Sequence, residues 1–266
     1  MTDIKGKTIV ITGGAKGIGL AAATEFAHAG CGKLVLVDLD IDALLLASHD
    51  LSPYTNVTIA HNNICDPDQM KGLAYDLNAL GGVDVLINNA GVGHSGEIAE
   101  TSMDTWRHLI NVNLLGSLNV FYAFLPYFIA RKAGHVVNVA SGQTFFQLPT
   151  WGPYAATKAA LAIFSQVSRY ELAKHNIKVT TVYPFMVNTG FYKDVKAESK
   201  GAKLSMKLIP YYSNSPETVG HKIFKAVKRS KSIEMVNPIN FIGKYLHFVP
   251  YLHSIVSKIT FKALGK

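Results

Sequence analysis

Cysteine is nearly missing: Cys31 and Cys65 are the only two in 266 residues. That excludes a disulfide-built secreted scaffold and any cysteine-rich zinc or iron–sulfur site, and it predicts a reduced, cytoplasmic chain. Uninterrupted apolar runs of 18 residues are also missing, so no membrane-spanning helix is expected. Met1 to Lys7 lead straight into the apolar stretch Thr8–Thr12, and no secretory signal is expected there. The ten histidines are scattered, without a His-Glu-x-x-His or a paired Cys/His spacing, which predicts no metal site. Charged residues make up only 17% of the chain against 48% apolar ones, and no low-complexity tract or internal repeat is present. Disordered and coiled-coil classes are thereby excluded. A chain of this length buries about three-quarters of its unfolded surface and needs no staple.

What charge there is sits unevenly. Residues 1–189 carry 12 Lys and Arg against 14 Asp and Glu, whereas residues 190–266 carry 14 against 4, so the whole surplus of the +8 chain lies in the last 77 residues. Its lysines alternate with Phe, Tyr, Ile and Leu rather than with Gly, Ser and Arg, which suits a lipid surface, or equally the solubility of a sticky face, more than nucleic acid.

Short β-branched runs alternate with longer amphipathic ones from Lys7 to about Asn237. Strands are predicted at Thr8–Thr12, Lys33–Val37, Val57–Ala60, Val83–Ile87, His135–Ala140, Lys178–Tyr183 and Ile233–Val236, and helices near 17–29, 40–48, 67–80, 103–132, 153–175 and 216–229. Continuous apolar strands separated by helices imply right-handed βαβ units. The expected fold is α/β: a doubly wound, Rossmann-like parallel sheet in one catalytic domain, 1–237, followed by a basic amphipathic tail, 238–266. A substrate loop is expected at 185–215, ended by the helix signal Ser215-Pro216-Glu217.

Strand Thr8–Thr12 runs into Gly13-Gly-Ala-Lys16-Gly17-Ile18-Gly19 and then a helix. Such glycines let backbone approach a pyrophosphate, which the free N–H groups of the new helix attract. Nineteen residues beyond Gly19, Asp38 ends the second strand, where a carboxylate accepts the ribose hydroxyls and repels a 2′-phosphate. NAD is therefore expected over NADP, although Lys16 is a basic group that suits the extra phosphate. Asp66, after the third strand, is a candidate for the adenine pocket.

Tyr154 and Lys158 lie one helical turn apart on one face. A free tyrosine titrates near 10, so accepting a proton near neutrality asks for about 4 kcal/mol in favour of the phenolate, which an adjacent cation supplies in sign and scale. Ser141 closes the preceding strand, with a hydroxyl suited to a substrate oxygen. Asn113 falls inside a predicted helix, where asparagine is unfavourable without a task. His94 is a weaker candidate for the cleft.

These residues resemble the classical short-chain dehydrogenases/reductases over residues 5–236. Thr12 to Gly19 look like the family's nucleotide motif, Asn88-Asn89-Ala90-Gly91 like its sheet-stabilising motif, and Asn113, Ser141, Tyr154 and Lys158 match its catalytic tetrad. The resemblance implies Tyr154 as general acid/base, Lys158 on the nicotinamide ribose, Ser141 orienting the carbonyl, and Asn113 anchoring a relay water. It also implies nucleotide contacts at Gly13, Lys16, Gly17, Ile18, Gly19, Asn89, Ala90, Gly91, Pro184, Val187 and Thr189, and pairing into a homodimer or homotetramer through 103–132 and 153–175. The chain departs from the family's Pro-Gly after the sixth strand, reading Pro184-Phe185. Its segment 184–191, the helix from Ser215 and the tail are most similar to the retinol and 17β-hydroxysteroid dehydrogenases, although no counterpart of their usual N-terminal anchor is expected.

The loop between Ser141 and Tyr154 carries Gln143, Phe145, Phe146 and Trp151, and Phe185, Met186, Phe191 and Tyr192 face it in sequence order. An apolar wall is expected, hence a lipophilic alcohol or carbonyl such as a retinoid, steroid or long-chain alcohol. Leu252, Ile255, Val256 and Ile259 form a helical stripe in the tail, with Lys258, Lys262 and Lys266 beside it, suited to peripheral attachment at a membrane or to packing on a subunit. The alternatives are an NADPH-dependent aldehyde, acyl or carbonyl reductase and a non-catalytic nucleotide-binding scaffold.

Overall fold

Side-chain alternation along two central strands explains why the sheet is covered on both faces. In β1 (Thr8–Thr12) and β2 (Lys33–Asp38), Ile9, Ile11, Leu34 and Leu36 enter one buried cluster, while Val10, Val35 and Val37 enter another. The remaining strands are β3 (Asn56–His61), β4 (Val85–Asn88), β5 (Gly134–Val139), β6 (Ile177–Tyr183) and β7 (Ile233–Met235). All pair in parallel in the order β3-β2-β1-β4-β5-β6-β7. The computed structural model describes residues 2–146, 148–189 and 213–246, together with Lys258.

Helices α1 (Gly17–His28), α2 (Ile41–Leu51) and α7 (Pro216–Lys228) close the first cluster. Helices α3 (Pro67–Ala79), α5 (Ser117–Arg131) and the end of α6 (Gly152–Leu172) close the second. The expected doubly wound sheet is thus the observed one. Boundaries move where side-chain caps decide them: Asp40 accepts the Ala43 N–H at 2.9 Å and starts α2, which runs on to the buried Leu51.

The helix expected at 103–132 is interrupted. After α4 (Met103–Ile110), residues Asn111–Gly116 form a π-helical turn before α5 resumes the α pattern. The whole stretch Met103–Arg131 is long and apolar enough to cross a membrane by length and composition, but 44% of its apolar window is buried. Val120, Phe121, Phe124 and Phe128 pack it into the second cluster. In the sequence Asn111, Asn113, Ser117 and Asn119 break the apolar run, which hides this length.

A further helix, α8 (Ile239–Leu246), falls within the expected tail yet is docked on the body that carries the sheet. Asn240 Nδ2 donates to the Tyr183 carbonyl at 2.7 Å, and Gly243 lies against the Phe146 ring so closely that a Cβ there would meet it at 2.5 Å. The boundary expected at 237/238 therefore cuts through packed structure. The stripe from Leu252, with Lys262 and Lys266, and the loop residues Phe191 and Tyr192 lie outside the described residues.

Candidate active site

Strand order reverses between β1 and β4, and a parallel sheet opens a crevice at the carboxyl ends of its strands at such a point. Here the loops enclose a cavity of about 770 Å³. Gly13, Lys16, Gly17 and Ile18 form one end of it and Ser141, Tyr154 and Lys158 another, with Asn89, Ala90 and Gly91 between them. Pro184, Met186, Val187 and Thr189 line the wall after β6.

The glycine loop is shaped by contact. Gly17 has φ +54°, a left-handed conformation, and any side chain at Gly19 would run into the Gly13 carbonyl. Gly19 is accordingly buried beneath the loop instead of lining the cavity. α1 starts at Gly17, and its N-cap residue Lys16 makes no side-chain capping bond, which leaves the first N–H groups to the crevice that Gly17 and Ile18 line. Asp38 is tied to this loop: its Oδ2 accepts the Ala15 N–H at 3.1 Å and its Oδ1 the Leu39 N–H at 2.8 Å. The Lys16 ammonium lies 2.5 Å from Asp40 Oδ2, and that hydrogen bond, with the Ala43 N–H, holds the Asp40 carboxyl below its usual range. Asn89 braces the loop by donating from Nδ2 to the carbonyls of Thr12 and Gly13, each at 3.1 Å.

Lys158 is buried at 3% exposure, and its Nζ donates to the Val139 carbonyl at 2.9 Å. Burial lowers its pKa to about 8. Tyr154, one turn earlier, is also buried, and the Trp151 ring meets it edge-on at 5.7 Å. Ser141 Oγ accepts the Gln143 N–H at 3.2 Å, so the hydroxyl proton is left to point elsewhere.

Asn113 explains the π-helical turn. Its Oδ1 accepts the Val92 N–H at 2.8 Å while its Nδ2 donates to the Val92 carbonyl at 2.9 Å and to Thr157 Oγ1 at 3.2 Å. A Cβ on Gly91 would stand 3.0 Å from Asn113 Oδ1 and 3.2 Å from Lys158 Nζ. The asparagine side chain thus braces the Val92 main chain and Thr157, next to Gly91.

Several expected site residues stand elsewhere. Asp66 does not line the cavity: its carboxylate caps α3, with Oδ1 accepting the Asp68 and Gln69 N–H groups at 2.9 and 3.2 Å. Leu39, Asn62, Asn63, Ile64 and Cys65 occupy that region instead. His94 turns to Thr101 Oγ1 at 3.3 Å; among the described residues, the histidine that lines the cavity is His108. Phe145 packs against Tyr183 with ring centres 4.7 Å apart and planes tilted by 41°, and Phe146 against Phe185 at 5.0 Å and 43°. These three phenylalanines, packed on Tyr183 and on one another, are not among the described residues that line the cavity. Only Gln143 and Trp151 of the expected loop residues line it. The Asn62–Cys65 segment carries no motif, but its place at the carboxyl end of β3, on the same end of the sheet as the glycine loop and Asp38, is a signal that locates it.

A family model described as short chain dehydrogenase matches residues 7–200. The chain is 32% identical over 268 residues to a dehydrogenase/reductase SDR family protein 7-like of Anopheles gambiae, covering 96% of this chain and 83% of that one. It is also 32% identical over 253 residues to dehydrogenase/reductase SDR family member 7B of Bos taurus, covering 91% and 77%. Among solved structures, a short chain dehydrogenase/reductase from Burkholderia phymatum, determined in complex with NAD, is similar with a TM-score of 0.84 and 26% identity over 92% of this chain and 94% of that one.

Proposed function

The chain belongs to the short chain dehydrogenase family and is a dehydrogenase/reductase, and from that premise we propose that it interconverts an alcohol and its carbonyl on a lipophilic substrate with NAD. The observation that carries this reading is the single cavity on which Ser141, Tyr154 and Lys158 meet Gly13, Gly17 and Asp38.

The residues present fit a dinucleotide. The uncapped start of α1 suits a pyrophosphate, Asp38 suits ribose hydroxyls, and the walls at Asn62–Cys65 and Pro184–Thr189 suit its two bases. NAD, when bound, accepts or delivers the hydride. NAD is favoured over NADP because Asp38 lines the cavity and its carboxylate repels a 2′-phosphate, and because Lys16 is already engaged by Asp40. The Ser141 hydroxyl, with Gln143 N–H on its oxygen, donates its proton to the substrate oxygen. Tyr154 takes or returns the substrate proton from its phenol. Lys158, an ammonium below about pH 8, favours the phenolate from one turn away. Trp151 against the Tyr154 ring keeps water from it. Val92, Trp151, Met186 and Val187 offer an apolar surface to the substrate.

Exposed Leu115 and Tyr122, with Ile163, Val167 and Tyr170 on α6, support pairing of two copies through these helices. Exposed Phe241, Ile242 and Tyr245 on α8 support contact with a lipid surface. The decisive experiment is Tyr154→Phe. Reduction of NAD by a panel of alcohols, followed at the nicotinamide absorbance band, is expected to fall by about 10²–10⁴-fold, with nucleotide binding retained. A variant of near-normal rate refutes the role assigned to the phenol.

A further inference from the structure

Gln143 stands in the cavity wall at 6% exposure, and its side-chain Oε1 is buried without a hydrogen-bond partner. Leaving a buried amide oxygen unpaired costs about 1–3 kcal/mol, so a folded chain keeps such a group only for a reason. The other unpaired amides have structural partners on their remaining atoms: Asn88 Nδ2 donates to Ser117 O and Asn138 Oδ1, and Asn240 Nδ2 donates to Tyr183 O. Gln143 combines the orphan atom with a place on the cavity.

Its position is also fixed. The Gln143 N–H holds Ser141 Oγ at 3.2 Å, Thr144 N–H closes the turn on the Ser141 carbonyl at 3.2 Å, and Gly142 N–H is bonded to Pro184 O at 2.6 Å. The turn cannot slide, since a Cβ on Gly142 would already stand 2.8 Å from Phe185 Cβ. Gln143 is therefore held at a fixed place in the cavity wall, two residues from the hydroxyl that orients the reacting oxygen.

We infer that Gln143 determines specificity by holding a second oxygen of the substrate, a hydroxyl on the carbon adjacent or next but one to the reacting carbon. A hydroxyl donates to Oε1 and accepts from the amide N–H, so it matches the carboxamide in either orientation about its last bond. A plain secondary alcohol leaves the amide oxygen orphaned and is discriminated against, as in any site built to pair a substrate hydroxyl. This inference rests on the oxidoreductase reading and names the substrate class within it: a lipophilic diol or its hydroxy-carbonyl partner.

The test uses the full chain with NAD and three matched probes: 2-octanol, 2,3-octanediol and 2,4-octanediol. The parent protein is expected to prefer at least one diol by tenfold or more in kcat/KM, on the order of one orphaned hydrogen bond. Gln143→Met preserves length and removes the amide. In it the diol-to-octanol ratio is expected to collapse to within about threefold, with no fall in melting temperature, because an unpaired buried polar group is removed. A parent ratio near one, a ratio that survives in Gln143→Met, or a variant that melts several degrees lower and loses all three substrates alike overturns the inference. Failure of the parent to oxidise any alcohol, diol or plain, while it still binds NAD, overturns the oxidoreductase reading itself. That result is distinct from equal turnover of all three.

Discussion

Replacing Lys158 by methionine is expected to make the protein more stable and nearly inactive. Burial takes the Lys158 pKa from its ordinary 10.5 to about 8, so at pH 7 the folded chain carries a charge that its surroundings oppose. Each tenfold loss of proton affinity is worth about 1.4 kcal/mol, which puts the penalty at about 3 kcal/mol. Methionine also leaves the Val139 carbonyl, now bonded to Nζ at 2.9 Å, without that donor. Returning about 1 kcal/mol for it leaves a net gain of about 2 kcal/mol, or roughly 4–8 °C in melting temperature for a chain of this size. Linkage gives the gain a pH signature. Between pH 8 and 10.5 the unfolded chain binds a proton that the folded one has released, so the parent becomes more stable as pH rises across that window. Below pH 8 both forms are protonated and the full penalty stands. The gap between variant and parent is therefore widest at pH 7 and closes toward pH 10. Urea titrations at pH 7, 9 and 10 measure it, while kcat/KM on an accepted alcohol is expected to drop about 10²–10⁴-fold. A variant no more stable than its parent at pH 7, or a gap that stays constant with pH, refutes the reasoning.

Two further outcomes follow from the same geometry. Asp38→Ala is expected to raise the NADP-to-NAD ratio of kcat/KM at least tenfold, about the effect of removing one carboxylate beside a phosphate; an unchanged ratio removes Asp38 from nucleotide selection. Burial, and secondarily the Lys178 charge, lowers the His135 pKa from 6.5 to about 4, so the folded chain stays neutral there while the unfolded chain takes a proton. Stability is then lost as pH falls from 6.5 through 4, by about 3 kcal/mol, and His135→Gln is expected to flatten that dependence in urea midpoints at pH 7, 5 and 4. A slope identical to the parent's sinks the assignment.

What is legible in the sequence is what adjacent residues encode. The strand runs, the loop from Gly13 to Gly19 and the pair Tyr154 and Lys158 carry their geometry in their own spacing; the strands form within about two residues of where the sequence places them, and Gly13, Gly17, Tyr154 and Lys158 line one cavity. Asp66 shows the limit: a carboxylate before Pro67 reads equally as a cap or as a ligand, and the competing backbone N–H groups of Asp68 and Gln69 are three residues away or less. Phe145, Phe146 and Phe185 show another. Aromatic bulk announces burial but not which side of a loop is buried, and here Tyr183 and the α8 glycine Gly243 claim the rings before the cavity does. The π-helical turn is legible only as a misplaced asparagine, since its cause, the main chain of Val92, lies 21 residues away.

The backbone itself marks the same cavity independently of any motif. Among the described residues, five other than glycine have positive φ: Lys132, Thr150, Asn176, Met186 and Ser230. Lys132, Asn176 and Ser230 follow α5, the turn after α6 and α7, where a left-handed residue ends a helix at little cost. Thr150 at φ +73° and Met186 at φ +46° end no helix. Thr150 is β-branched, for which this conformation is an outlier, and it is held there by Gly96 N–H on its carbonyl at 2.8 Å and by Ser95 Oγ on its hydroxyl at 2.8 Å. It immediately precedes Trp151, and Met186 itself lines the cavity. Such residues cost about 1–3 kcal/mol each and persist only where surrounding structure over-determines them, which in folded chains is chiefly at sites of function. With the π-helical turn at Asn113 as a third irregularity, the departures from local rule fall on or next to residues that line the space shared by Ser141, Tyr154 and Lys158, namely Met186, Trp151 and Val112. The backbone strain and the proton chemistry therefore converge on one place.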